Sequence, residues 1–221
     1  CYATGDVTGA EYAGGLIGRN GFNMVQSKYP GVIACYAMGT VTGGSHVGGL
    51  IGDNYHSYAI DCHAAGAVSG TNRVGGLSGF NDFGRFERCY ATGEVTGQTN
   101  VGGLVGMSYT DASVYECYSN GTVTGEQATG GLVGQNSGAS ILKSYSTSEV
   151  QGSNYTGGLV GWYTTNYHED TKIEASYSAG SVTGTTSTGG LVGKMEVSPS
   201  LVLASFWDTD TSGQETSAAG I

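Results

Sequence analysis

The stretch Cys89-Tyr90-Ala91-Thr92-Gly93-Glu94-Val95-Thr96-Gly97, followed by Val101-Gly102-Gly103-Leu104-Val105-Gly106, decides the fold, because the same arrangement returns along the whole chain. Counting the Cys or Ser that opens each unit as position zero, starts fall at Cys1, Cys35, Cys62, Cys89, Cys117, Ser144, Ser176 and Ser205. The spacings are 34, 27, 27, 28, 27, 32 and 29 residues. Residues 1–204 hold seven full repeats, and residues 205–221 read as the start of an eighth repeat or a capping segment.

The first eighteen positions of each repeat never slip: position six is always valine, as at Val41, Val68 and Val95, and position fifteen always leucine, as at Leu50, Leu77 and Leu104. Length varies only between the glycine at position seventeen and the next start. Stacked coils demand this, because an insertion within a strand flips every later side chain, whereas a corner loop bulges outward freely. The segments are too short and too rich in glycine for helices. We therefore expect an all-β fold, a parallel β-solenoid with about three short strands per coil and seven full coils plus the start of an eighth. The strands are expected around CYATG, around GGLVG, and around the apolar residue three places before each start (Val32, Ala59, Phe86, Val114, Ile141, Ile173, Val202).

Composition agrees with a stacked scaffold. Glycine accounts for 41 of 221 residues against 2 prolines, and 34 of those glycines occupy positions four, eight, thirteen, fourteen and seventeen, where they turn the chain or let coils approach closely. Collagen needs a three-residue glycine period and abundant proline. Disorder fits poorly with 15 tyrosines, 5 phenylalanines and 2 tryptophans. A formal charge of −10 removes the basis for gripping a phosphate backbone, so nucleic acid is not expected as a partner. No apolar run approaches the roughly 20 residues of a membrane-spanning helix. With cysteine at residue 1, the chain reads as an excised or processed piece.

Alternation places positions zero, two, four and six inward and positions one, three and seven outward. Position one is then an aromatic column of Tyr2, Tyr36, His63, Tyr90, Tyr118, Tyr145, Tyr177 and Phe206, serving register or offering a platform for sugar rings, unless a kink at the position-four glycine turns the rings inward. All five cysteines share position zero with Ser144, Ser176 and Ser205, a pattern of small buried residues rather than a disulfide framework. Just before position zero, Asp61, Arg88, Glu116 and Lys143 alternate in sign, which would pair neighbouring coils at a corner. Asn20, Asn54, Asn81 and Asn136 follow shortly after the GGL segment, where a turn is expected. The GGLIG segment is apolar on both faces, which calls for a covering loop or an association surface.

The GGL(I/V)G core with its CYATGxVTG partner resembles the GLUG motif, a repeat of glycine, leucine, any hydrophobic residue and glycine. The ending Ser205-Phe206-Trp207-Asp208-Thr209-Asp210-Thr211-Ser212-Gly213 resembles the segment that often follows the last such repeat. Ser78 departs from the pattern at a hydrophobic place. The resemblance implies a secreted or cell-surface protein of bacteria or archaea, of adhesin-like or IgA-peptidase type, in which the repeats form extracellular spacer or binding regions, and it carries over no catalytic residue.

The richest corner for chemistry is the run 162–170, where Trp162, Tyr163, Tyr167, His168, Glu169 and Asp170 place aromatics beside carboxylates and are candidate carbohydrate ligands. Asn120 and Asn154 lie in glycosylation sequons. Asp208 and Asp210 resemble the opening of a calcium loop, but the twelfth place holds Ala219 rather than glutamate, so a capping turn is favoured over calcium. No other cofactor is expected. The expected function is non-enzymatic: an extracellular stalk, surface-layer or fibre component, its partners being further repeats or like subunits, with open ends that favour assembly end to end. The alternative is an adhesin-type module binding a glycan or a neighbouring cell surface through the tyrosine column or the Trp162 loop.

Overall fold

The computed structural model describes residues 1–21, 31–164, 171–198 and 201–220, and it is a parallel β-solenoid. In the coil that opens at Cys89 the strands are Tyr90–Ala91, Val95–Thr96, Thr99–Gly102, Val105–Tyr109 and Ser113–Tyr115. Each pairs in parallel with its equivalents above and below, so that Tyr90 stands between His63 and Tyr118, and Val95 between Val68 and Val123. Four sheets run along the axis: the first of eight strands, the second of twelve, one of them off its path, and the third and fourth of seven each.

The expected three strands per coil are thus corrected to five in four sheets, and glycine is the reason. At position eight the chain bends so that the valines at positions six and twelve face each other; a Cβ on Gly97 would lie 2.8 Å from Val101 Cγ2 and 2.9 Å from Val74 Cγ2. This fold-back encloses a second small core of Val41, Val47, Val68, Val74, Val95, Val101 and Val123. At position fourteen the chain bends again, and a Cβ on Gly103 would sit 2.0 Å from the carbonyl oxygen of Gly131 in the next coil. Close approach therefore explains the glycine columns. Among the described glycines a positive φ occurs only at Gly121, Gly138, Gly213 and Gly220.

The bend at position fourteen also resolves the two-faced GGLIG segment. Leu50, Leu77, Leu104, Leu132, Leu159 and Leu191 all turn into the main core beside their following residues Ile51, Val105, Val133, Val160 and Val192. Neither a covering loop nor a partner is needed there. Ser78, at the departing place, is fully buried and donates its hydroxyl to the carbonyl of Phe80 at 2.9 Å.

Left-handed backbone at ordinary residues falls instead mainly on two columns, with a shorter group at His56, Phe83, Thr110 and Asp111. One is the corner before position zero, where Ala34, Asp61, Arg88, Glu116, Lys143, Ala175 and Ala204 have φ between 45° and 55°. The next residue secures that corner: Cys89 Sγ donates to the carbonyl of Glu87 at 3.3 Å, and Ser144 and Ser176 donate to Leu142 and Glu174 at 2.9 Å. The same atoms accept from the neighbouring coil, as in Cys117 N to Ser144 Oγ at 3.1 Å. A thiol or a hydroxyl serves equally, which is why Cys and Ser interchange here. The hydrogen bond with Cys117, then burial, pushes the Cys89 thiol up to about 12, so it stays protonated.

The asparagines are not in turns. Asn54, Asn81 and Asn136 lie within strands of the third sheet and are wholly buried, each donating to the carbonyl three residues on, Ser57, Gly84 and Ala139. The last coil is not left open either. Residues 207–220 fold across it: Gly190 N donates to Thr216 O, Val192 N to Ser217 Oγ, Gln214 Nε2 to Val182 O, and Ala218 N to Val192 O, at 2.8–3.0 Å. The Trp207 ring lies on Gly190. The expected open edge at this end is therefore covered.

Candidate functional site

Position one builds a continuous stack on the first sheet. Because strands pair in register, ring centres repeat at 5.3, 5.0, 4.7, 4.8, 5.1, 4.9 and 5.5 Å from Tyr2 through Tyr36, His63, Tyr90, Tyr118, Tyr145 and Tyr177 to Phe206. Every neighbouring pair is within 11° of parallel. The rings face outward, half-buried except at the more exposed ends, Tyr2 and Phe206. Their flat faces are covered by one another, so the column offers edges to solvent and a free face only at its ends. Burial, with neighbouring tyrosines second, raises the Tyr118 and Tyr177 phenols above their ordinary value.

The corner charges pair as their alternation suggested: Arg88 Nε meets Asp61 Oδ1 at 2.7 Å, and Lys143 Nζ lies 3.8 Å from Glu116 Oε1. The hydrogen bond from Arg88 holds the Asp61 carboxyl below its usual value.

Of the candidate ligand-binding corner, Tyr167, His168, Glu169 and Asp170 lie outside the described residues. Trp162 and Tyr163 are separated by the strand that carries them. Tyr163 points inward, is fully buried and donates its hydroxyl to the carbonyl of Thr171 at 3.0 Å, taking the place that asparagine holds in other coils. It is a core residue and not a surface ligand. Trp162 faces outward against Tyr155, with ring centres 5.7 Å apart and tilted by 45°. Lys194 Nζ lies 4.5 Å from the Tyr155 ring centre and 5.4 Å from that of Trp162, and it pairs with Glu196 at 2.7 Å. Asn120 and Asn154 are both exposed.

Asp208 caps the short helix Thr209–Ser212, accepting from Asp210 N at 3.0 Å and Thr211 N at 3.4 Å. Its carboxylate is thus engaged as a capping turn. Among the described residues, no group of three or more His, Cys, Asp or Glu side chains is arranged to hold a metal ion.

A second outward cluster escaped the sequence reading. Positions eleven and eighteen meet along one edge, where Tyr12 stacks on His46 at 4.9 Å, Arg73 donates to His46 Nε2 at 2.5 Å, and Arg73 lies 4.7 Å from the Phe80 ring centre. Arg19 pairs with the buried Asp53 at 3.0 Å. Burial, then Arg73 and Arg19, lowers His46 to about 4, so it is neutral and accepts from Arg73. Burial, partly offset by Arg19, raises Asp53. Position eleven is also the second left-handed column, with φ of 53° at Tyr12 and Arg73 and 55° at His46, and this swings its side chain toward position eighteen. Alternation counting has no term for that swing. The visible signal was only that the two positions carry variable, often aromatic or cationic residues.

No helix among the described residues is long and apolar enough to cross a membrane. No curated protein and no solved structure matches the chain. The family model of the GLUG motif matches residues 70–96, 97–124 and 125–151. Its units begin at Gly70, Gly97 and Gly125, the position-eight glycines where the chain folds back, a phase choice that leaves a continuous coil unchanged. The three consecutive coils from residue 70 to residue 151 are GLUG motif repeats, set within the longer solenoid of the same design.

Proposed function

We propose that this chain is a non-enzymatic structural repeat module, a stalk, surface-layer or fibre component of a prokaryotic surface or secreted protein. GLUG motif repeats are consistent with such a module. The observation that carries the reading is the use of the outer side chains: position-one rings stack on their own neighbours, and Asp61–Arg88 and Glu116–Lys143 pair coil to coil. Side chains engaged along the axis stiffen a rod and hold its register. Its partners are further repeats or like subunits; continuation past the last coil requires the segment 207–220 to move aside.

A glycan-binding reading is favoured by one observation, the outward, tilted Tyr155–Trp162 pair. A glycan array separates the two. The structural reading expects no binding by the monomeric protein, and binding abolished by Trp162→Ala would overturn it in favour of an adhesin module.

A further inference from the structure

The aromatic column contains an unbroken run of tyrosines, Tyr90, Tyr118, Tyr145 and Tyr177, with ring centres 4.8, 5.1 and 4.9 Å apart and planes within 5° of parallel. A further pair, Tyr2–Tyr36, stands at 5.3 Å, cut off from the run by His63. Every ring is at least partly exposed. The phenols are held side by side by strand pairing, Tyr90 with Tyr118, Tyr118 with Tyr145, and Tyr145 with Tyr177. Register maintenance explains stacking, and phenylalanine would serve it equally, as Phe206 does on Tyr177 at 5.5 Å.

We infer that this column is a modification site, at which a one-electron oxidant of the haem-peroxidase class with hydrogen peroxide joins adjacent coils through dityrosine. Each of two neighbouring phenols gives up one electron and its hydroxyl proton, and the peroxide takes both electrons and both protons to become two waters. The radicals, delocalised onto the ring carbons beside the oxygen, join through a new carbon–carbon bond. The hydrogens on the joined carbons then shift to the oxygens, restoring both phenols, so each link removes two hydrogen atoms from the chain. Proximity favours this over encounters between molecules, since the partner is held within about 5 Å at high effective concentration. Because the column's raised phenols stay protonated at neutral pH, oxidation proceeds from the neutral phenol. The links would run along the axis and fasten coil to coil, a covalent reinforcement of the rod.

The test is oxidation of the full chain at high dilution with horseradish peroxidase and hydrogen peroxide, followed by intact mass and peptide mapping of the monomer. The expected result is monomer lighter by two hydrogens per link, with links at Tyr2–Tyr36, Tyr90–Tyr118, Tyr118–Tyr145 and Tyr145–Tyr177 and none spanning His63. Tyr118→Phe keeps a stackable ring and removes two of these four contacts, so the yield of links within the chain should fall by about half while Tyr145–Tyr177 persists. Circular dichroism confirms that the variant is folded. Links only between molecules, links at tyrosines outside the column such as Tyr58 or Tyr109 in comparable yield, or an unchanged monomer mass would each overturn the assignment.

Discussion

Asn54 donates its side-chain amide to Asn81 Oδ1 at 2.9 Å, and both residues are wholly buried. Asn20 donates to Asn54 in the same way, so the amides form a ladder from coil to coil. At Ser108 the ladder stops, and both Ser108 Oγ and Asn136 Oδ1 are buried without a hydrogen-bond partner. Asn54→Ala is expected to destabilise by about 2 to 3 kcal/mol, because it leaves buried groups of Asn20 and Asn81 unpaired. Ser108→Asn should extend the ladder and raise stability by about 1 kcal/mol. Urea titration of the three proteins measures both.

The left-handed corners predict an uncommon gain from glycine. Ala175 is exposed and has φ of 51°, a conformation that strains an alanine by roughly 1 kcal/mol or more and glycine hardly at all. After the greater freedom of glycine in the unfolded chain, Ala175→Gly should still stabilise by about 0.5 kcal/mol. In the strand Tyr90–Ala91, the same change at buried Ala91 should destabilise by about 1 kcal/mol or more. Thermal melts showing both changes equally harmful would contradict this account of the corners.

His46 gives the acid limb of stability a local cause. Its folded value, about 4, lies below the ordinary 6.5, so the unfolded chain binds more protons between those values. Stability from this residue is complete above pH 6.5 and is lost as pH falls toward 4. His46→Asn, the residue that Asn100 supplies at the equivalent left-handed place, should flatten that portion of the curve. Melting temperatures of both proteins across this range read the difference in slope.

Removing residues 208–221 takes away the donors and acceptors that Thr216, Ser217 and Ala218 offer to Gly190 and Val192. An uncovered parallel edge is a template for pairing with another chain. Light scattering after gel filtration should show the truncated protein associating at concentrations where the full chain does not.

The axial period was legible because stacking forbids insertions within strands, and so was the existence of the aromatic column, while its outward facing stayed open because a kink at the position-four glycine could reverse the alternation. The five-strand cross-section was not. It depends on the bends at Gly97 and Gly103, which look alike in sequence but fold the chain in different directions. Asn54 and Asn81 were misplaced because asparagine serves turns and buried ladders with the same amide, and only the three-residue reach to Ser57 and Gly84 tells them apart. Tyr163 read as a surface aromatic because position nineteen usually holds asparagine, and only its hydrogen bond to Thr171 shows that a large phenol fills the same inward place. The cluster of His46, Arg73 and Phe80 stayed hidden because a left-handed residue at position eleven breaks the alternation used to sort faces.

The central claim, that these coils serve as a structural rod at the cell surface or outside it, is tested most directly by immunogold electron microscopy of the native source with antibody against the solenoid. The account predicts gold along extracellular stalks, a surface layer or fibres. Gold confined to the cell interior would contradict it.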